Sequence, residues 1–306
     1  MRIAVLANLK KNAPTWEGMP ADQWDDLDSP KTTDALVAAL QAGGHEAAFF
    51  EASLLPPYSL VERLSEYKPD LCFNISESHF GDGREAHIPS ILEMLKIPYT
   101  GSKVLTLALA LDKPLTKRVL RYHGLPTPEF QVFERADDPV DPQLLTDEGE
   151  LRFPLFVKPS REGTSMGVSA DSLVRTVTQL RDQVARQIEL YHQPILVEHY
   201  IEGREITIGM VGNCTPSDLV RSNDRTALNA RPEGLTFMPA LEINLSMYAE
   251  SESSLYTNRM KTEWADGDYY LCPANVEPDL LAQLQFLAAA VFRVVDCKDV
   301  ARVDFR

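Results

Sequence analysis

The chain opens on an apolar run, IAVLANL from Ile3 to Leu9, which reads as a buried strand. Ser29-Pro30 then starts a helix that carries Leu36, Val37 and Leu40, and Gly43-Gly44 stops it. HEAAFFEA predicts a second strand, Leu60, Val61 and Leu64 an amphipathic segment, and LCFNIS after Pro69-Asp70 a third strand. A helix over Ile88 to Leu95 leads into IPYTGS. Strands and helices alternating in this order predict an α/β region built on a mainly parallel sheet. No G-x-G-x-x-G follows the first strand, which argues against a dinucleotide cofactor.

The pattern changes further on. Leu105 to His123 reads as one long helix ended by Gly124, with Pro126 and Pro128 beyond it. Glu134 to Glu150 is polar enough for a mostly solvated connection. From Phe153 the order becomes strand, loop, strand, helix (Ser172 to Tyr191), strand (ILVEHY), turn at Glu202-Gly203 and strand (REITIGMVG). That is an α+β unit distinct from the first. Thr215 to Gly267 is polar, with an edge strand expected near Leu241 and mobile loops around it. A helix from Leu280 to Val295 and a strand, VARVDFR, complete the chain.

Composition narrows the partners. A net charge of −15 over 306 residues repels nucleic acid and anionic membranes. No apolar stretch reaches the ~20 residues of a membrane span, and the N-terminal run lacks a signal-peptide cleavage site. Cys72, Cys214, Cys272 and Cys297 form no C-x-x-C pair, so free thiols in a reducing cytoplasm are expected and a zinc site is not.

Two stretches carry candidate chemistry. In FPLFVKPS, period two puts Phe153, Leu155 and Val157 on one face and Phe156 and Lys158 on the other. Taken alone, Lys158 also fits a surface lysine with a buried stem. The loop behind it is more informative. Gly163, Thr164, Ser165 and Gly167 let backbone N–H groups converge on an anion, and the two hydroxyls add donors. In ARVDFR the same alternation sends Ala301, Val303 and Phe305 inward and Arg302, Asp304 and Arg306 outward. An arginine and an aspartate on a cleft-facing strand suit a metal beside a developing anion. A plain surface ion pair is the other reading.

Several stretches taken in order resemble the D-alanine–D-alanine ligase branch of the ATP-grasp superfamily: GDGREAHIPSILEMLKIPYTGS, LALALDKPLTKRVLRYHGLPTP, FPLFVKPSREGTSMGVS, ILVEHYIEGREITIGMVGN, CPA and ARVDFR. The resemblance covers roughly residues 70 to 306. It implies an ATP-grasp fold with an N-terminal Rossmann-like domain over 1–104, a central subdomain with a phosphate-covering loop over 105–196 and a C-terminal subdomain over 197–306. It also implies an ATP-dependent carboxylate–amine ligase that works through an acyl phosphate and joins two amino acids, with a role in peptidoglycan biosynthesis. A nucleotide-binding relative without turnover is the alternative.

Roles follow by similarity. Lys113 and Lys158 would contact ATP phosphates under the loop Glu162, Gly163, Ser165, Met166 and Gly167. Glu198 would accept from the adenine amino group, the backbone at Tyr200 and Ile201 would read the ring edge, and Glu205 would hold the ribose. Asp304 would bind Mg2+ or Mn2+, with Arg302, Thr164 and Lys261 as catalytic residues. Amino acids are the implied small-molecule partners, and a homodimer the implied assembly.

The chain also departs from the family pattern. Family members complete the metal site with Glu-x-Asn about a dozen residues after the aspartate, and the residues given stop at Arg306, so a C-terminally truncated chain is expected. Glu242-x-Asn244 precedes the aspartate and is expected to be a decoy. After the first strand, ANLKKNAPTWEG lacks the family glutamate that positions the first amino acid's ammonium. Glu77, Arg84 and Glu85 stand where a histidine is usual, and Thr262 follows Lys261 in place of a lid tyrosine.

Overall fold

The computed structural model describes residues 1–146, 149–214, 234–245, 255–263 and 269–306. Two compact units make up the chain, Met1–Leu111 and Asp112–Arg306.

In the first unit, β1 (Arg2–Ala7), β2 (Glu46–Glu51) and β3 (Leu71–Asn74) form a parallel sheet in the order β2-β1-β3. Ile3 to Ala7 are all buried, as the central strand of a parallel sheet requires. Helix α1 (Pro30–Ala42) starts where the sequence places it, because the Ser29 hydroxyl accepts from the Thr32 N–H. Helices α2 (Leu60–Tyr67) and α3 (His87–Leu95) bring Leu60, Leu64, Ile88 and Leu92 to a core shared with Leu6 and Phe50. IPYTGS adds a single parallel bridge, Tyr99 to Cys72, rather than a strand.

The helix expected over Leu105 to His123 is in fact two, α4 (Val104–Leu111) and α5 (Lys113–Tyr122). Asp112 breaks the run: its Oδ1 accepts from the Leu115 N–H at 2.9 Å, and Pro114 sits in the new first turn. A capping aspartate and a proline restart the helix despite the continuous apolar periodicity.

The second unit holds two antiparallel sheets. Strands β4 (Phe130–Phe133), β5 (Leu155–Pro159), β6 (Leu173–Val174) and β7 (Ile195–His199) pair in the order β4-β7-β5-β6. Helix α6 (Val177–Tyr191) covers them; Thr176 caps it, so it begins five residues later than expected and Ser172 ends a short 3-10 turn instead. Phe133, Leu155, Val157, Leu180, Val184, Ile195 and Val197 form this core together with Leu144. Leu144 comes from a 3-10 turn, Pro142–Leu144, so the supposedly solvated connection contributes a fully buried side chain.

The other sheet contains β8 (Glu205–Gly212), β9 (Leu235–Phe237), β10 (Leu241–Ile243), β11 (Tyr270–Leu271) and β12 (Val300–Phe305). Its order is β11-β10-β8-β12, with β9 also on β8. The strand at Leu241 therefore lies between two neighbours and is not an edge. Helix α7 (Asn258–Glu263) precedes β11, and α8 (Pro278–Val294) packs Leu284, Ala288 and Phe292 against Ile206, Ile208 and Met210. The loops expected between Thr215 and Gly267 lie largely outside the described residues. Among the described residues no helix is long and apolar enough to cross a membrane.

Candidate functional site

Strand alternation fixes where Lys158 points. Leu155 and Val157 are fully buried in the β4–β7 core, while Phe156 and Lys158 project from the opposite face. On the neighbouring strand Glu198 pairs in register with Phe156 and emerges on the same face. Lys158 Nζ donates to Glu198 Oε1 at 2.5 Å, and Lys117 Nζ donates to Oε2 at 2.7 Å. Lys117 reaches there from the buried side of α5, also donating to Thr127 Oγ1 at 2.8 Å and lying 5.0 Å from the Phe130 ring centroid. Burial alone would push the Glu198 carboxyl upward, but Lys158 and then Lys117 outweigh it and hold the group down to about 2. Lys117 answers to the opposite balance. Burial pulls it below the ordinary lysine range even though Glu198 works against that shift. The trio is an ionised carboxylate clamped between two ammonium groups.

The loop after β5 is built around left-handed backbone. Thr164, Ser165 and Gly167 have φ of 44°, 56° and 75°. Gly167 has no alternative, since a Cβ there would stand 2.6 Å from Pro159 Cγ. Met166 is anchored in the interior, and its N–H closes a turn onto the Gly163 carbonyl at 2.8 Å. The base of the loop is tied to α5: the Lys113 N–H donates to the Ser160 carbonyl, Lys113 Nζ to the Glu162 carbonyl, and Arg161 Nε to Asp112 Oδ2 at 2.8 Å. The Glu162 carboxylate accepts from Gln193 at 2.6 Å. The tip is tied to the start of α7, where Ser165 Oγ donates to the Tyr256 carbonyl and Asn258 Nδ2 to the Thr164 carbonyl.

The third component is one face of the β8–β12 pair. Register sets Asp304 opposite Thr207 and Arg302 opposite Gly209, with Glu205 and Arg306 continuing the row. As the alternation predicts, Ala301, Val303 and Phe305 pack on the core while Arg302, Asp304 and Arg306 are exposed. Thr207 Oγ1 donates to Asp304 Oδ1 at 2.7 Å. Arg306 lies 3.4 Å from Glu205 and donates to the Tyr200 hydroxyl at 2.8 Å. Burial raises the Glu205 carboxyl; Arg306 pulls it back, Asp304 adds to the rise, and Lys261 and Lys158 lower it in smaller measure. Burial lowers Lys261, against the pull of Glu205 and Asp304. Lys158, Glu205, Lys261, Arg302 and Asp304 therefore share one electrostatic neighbourhood.

Three groups of expected residues thus come together: Lys158 with Glu198; Lys113 with the loop 162–167; and Glu205, Lys261, Arg302 and Asp304 with Tyr200. Ile201 is exposed beside them. The Met166 side chain is turned inward, and the Ser165 hydroxyl is engaged by Tyr256. The side chain of Thr262 lies outside the described residues. Arg204 donates to both carboxylate oxygens of Glu242, at 2.7 and 2.6 Å. Sequence reading missed Lys117, although Lys113 and Lys117 are four apart in LDKPLTK and so share a helix face.

Known proteins place this arrangement. The family model described as D-ala D-ala ligase C-terminus matches residues 119–227. An uncharacterized protein, y4sG, of Sinorhizobium fredii is 33% identical over 284 residues, covering 90% of this chain and 74% of its own. A D-alanine–D-alanine ligase of Pelotomaculum thermopropionicum is 31% identical over 283 residues, covering 90% and 77%. The crystal structure of the Bacillus anthracis D-alanine–D-alanine ligase complexed with ATP superposes with a TM-score of 0.63 at 21% identity, over 99% of this chain and 81% of that one. With this fold and this extent of identity, the chain belongs to the D-alanine–D-alanine ligase family of the ATP-grasp superfamily.

Proposed function

We propose that the chain is an ATP-dependent carboxylate–amine ligase, with residues 105–196 and 197–306 as the two subdomains that grip the nucleotide. The observation that carries this reading is the clamp on Glu198: a buried carboxylate at the inner wall, Lys158 beside it, and a left-handed loop next to both. Glu198 would accept from the adenine amino group once Lys158 swings to the phosphates. The backbone at Tyr200 and Ile201 would follow the ring edge, and Glu205 the ribose hydroxyls. Lys113 and Lys158 would neutralise phosphate charge under Glu162, Gly163, Ser165 and Gly167.

The γ-phosphoryl group then passes to a substrate carboxylate, and the acyl phosphate yields an amide when a second amine expels phosphate. Positioning and charge neutralisation supply the catalysis at the first step. Arg302 stabilises charge on the reacting carboxyl, and Thr164 and Lys261 sit on the two segments that meet over the site. Those segments exclude water from an intermediate that hydrolyses readily.

Asp304, a hard oxygen donor on the exposed face of β12, fits Mg2+ or Mn2+. Such ions take one or two carboxylates and complete their shell with water and phosphate oxygens. When bound, the ion supplies charge neutralisation at the phosphates. The named relatives make D-alanine with D-alanine the first pair to try. A phosphate-release assay over pairs of D- and L-amino acids tests the reading. Turnover that needs both ATP and an amino-acid pair is the expected result; no turnover with any pair defeats it.

A further inference from the structure

The two lysines on Glu198 differ in how firmly each is fixed. Lys117 Nζ reaches Oε2 from α5, and the same ammonium donates to Thr127 Oγ1 at 2.8 Å and lies 5.0 Å from the Phe130 ring centroid. Its side chain is 9% exposed. Lys158 Nζ reaches Oε1 from β5, lies 5.3 Å from the Phe156 ring centroid, and belongs to a side chain 22% exposed. Among the described residues Glu198 is the one hydrogen-bond partner of that ammonium. Lys117 is bound on three sides; Lys158 is tethered at a single polar contact.

The two contacts have different fates when a nucleotide enters as proposed above. Lys158 stands just ahead of the 162–167 loop, so phosphate draws it away and the adenine amino group takes its place on Oε1. Lys117 stays, because Thr127 and Phe130 hold it on the side of the other oxygen. It is then the one cation touching Glu198. The next charges are Arg121, four residues along α5 and engaged by Glu129 and Gln143, and Glu205, which is paired with Arg306. Among the described residues neither of these contacts Glu198.

A buried carboxylate without a cation takes up a proton rather than keep its charge. The two forms read a purine in opposite senses. The ionised group only accepts, which suits the amino group of adenine. The protonated group offers an O–H, which suits a carbonyl oxygen at the same ring position.

We propose that Lys117 is a positioning residue that sets the base specificity of the nucleotide site, by holding Glu198 as a pure acceptor after Lys158 has left it. The base specificity rests on the function proposed above; the charge pairing beneath it does not. Lys158 and Lys117 jointly hold the Glu198 carboxyl down to about 2 against burial, which pushes it up. With Lys158 on the phosphates and Lys117 uncharged, burial is unopposed and the carboxyl rises.

The test compares ATP with inosine triphosphate, which carries a carbonyl oxygen in place of the amino group, by calorimetry at pH 6 and pH 8. The native chain should favour ATP by at least about tenfold at both, the scale of one mismatched hydrogen bond. Lys117→Met should shift the ratio toward inosine triphosphate by about tenfold at pH 6 and by less at pH 8, because acid protonates the stranded carboxyl. Lys117→Arg, which keeps the charge, should restore the native ratio. In a Glu198→Gln background, where nothing titrates, Lys117→Met should add no pH dependence. Should Lys117→Met fail to fold, Lys117→Gln gives the same comparison with a donor kept and the charge removed. A ratio that stays native in the uncharged variants, or falls equally in Lys117→Arg, would overturn the assignment. Unfolding without nucleotide tests the charge pairing by itself. Lys158→Ala/Lys117→Met should lose stability between pH 5 and pH 8, as a group with a raised folded value does when pH climbs through it, and Lys158→Ala should not. Parallel profiles would overturn the proposal at its root. A native chain that binds neither nucleotide would defeat the function proposed above, while the unfolding comparison would still decide whether Lys117 keeps Glu198 ionised.

Discussion

Lys117 donates to Glu198 from a side chain only 9% exposed, and the carboxylate it holds is 11% exposed. The contact joins α5 to β7 across 81 residues of sequence, so it ties the lysine-bearing helix to the strand at the candidate adenine wall. Breaking a buried ion pair costs roughly 3–5 kcal/mol when it strands a charge. Lys158 remains to hold Glu198, so Lys117→Met should destabilise the chain toward the lower end of that range.

Acid dependence separates this ion pair from simple packing. A carboxyl held down to about 2 contributes stability that is fully present above its unfolded value of 4.5 and is lost as pH falls toward 2. The buried lysine shifts the other way and offsets part of that gain. The difference in unfolding temperature between the native chain and Lys117→Met should therefore shrink between pH 5 and pH 2.5. An equal difference at both ends would mean that the lost packing of the lysine stem, not its charge, was responsible.

Lys158→Ala addresses the nucleotide directly. Hydrogen bonds to charged groups contribute about 1.5–3 kcal/mol, so ATP affinity should fall roughly ten- to hundredfold. Calorimetric titration reads this without any requirement for turnover. Affinity equal to that of the unmodified chain would remove Lys158 from the site, and with it the main support for the function proposed.

Gly167→Ala should damage the loop for two separate reasons. Its φ of 75° is costly for any residue with a Cβ, and that Cβ would overlap the Pro159 ring at 2.6 Å. The Gly167 carbonyl also accepts from Gln187 Nε2 at 2.8 Å, which fastens the loop to α6. A loss of at least about 1–3 kcal/mol is expected from the strain alone. Unchanged unfolding temperature and ATP affinity would show that the loop can adopt another path.

Much of this was legible in the residues. Period-two alternation placed Leu155 and Val157 inside and Lys158 outside, and did the same for Val303 and Asp304, because each strand has one face on a core. Local capping was harder to weigh. The apolar run through Leu111 hid the Asp112 cap, whose second oxygen is also held by Arg161, 49 residues away. Leu144 looked solvated because its neighbours are polar, yet it fills the β4–β7 core. Lys117 shows the general difficulty. Its spacing from Lys113 is plain, but its partner lies on a distant strand, and only the assembled sheet reveals that they meet.

Asp304→Asn tests the metal. The Thr207 hydroxyl can still donate to an amide oxygen at this position, and the side chain is exposed, so the fold should be unaffected within about 0.5 kcal/mol. What changes is the charge and one hard oxygen donor. ATP affinity measured across a magnesium series should show the variant needing roughly 10–100-fold more metal for the same binding, the scale at which even outer-shell partners act on metal affinity. Without added metal the two proteins should bind ATP alike, or the variant slightly better, because a carboxylate facing phosphate is repulsive until a cation lies between them. A variant that matches the native chain at every magnesium concentration would show that Asp304 is no ligand, and that its pairing with Thr207 serves the sheet alone.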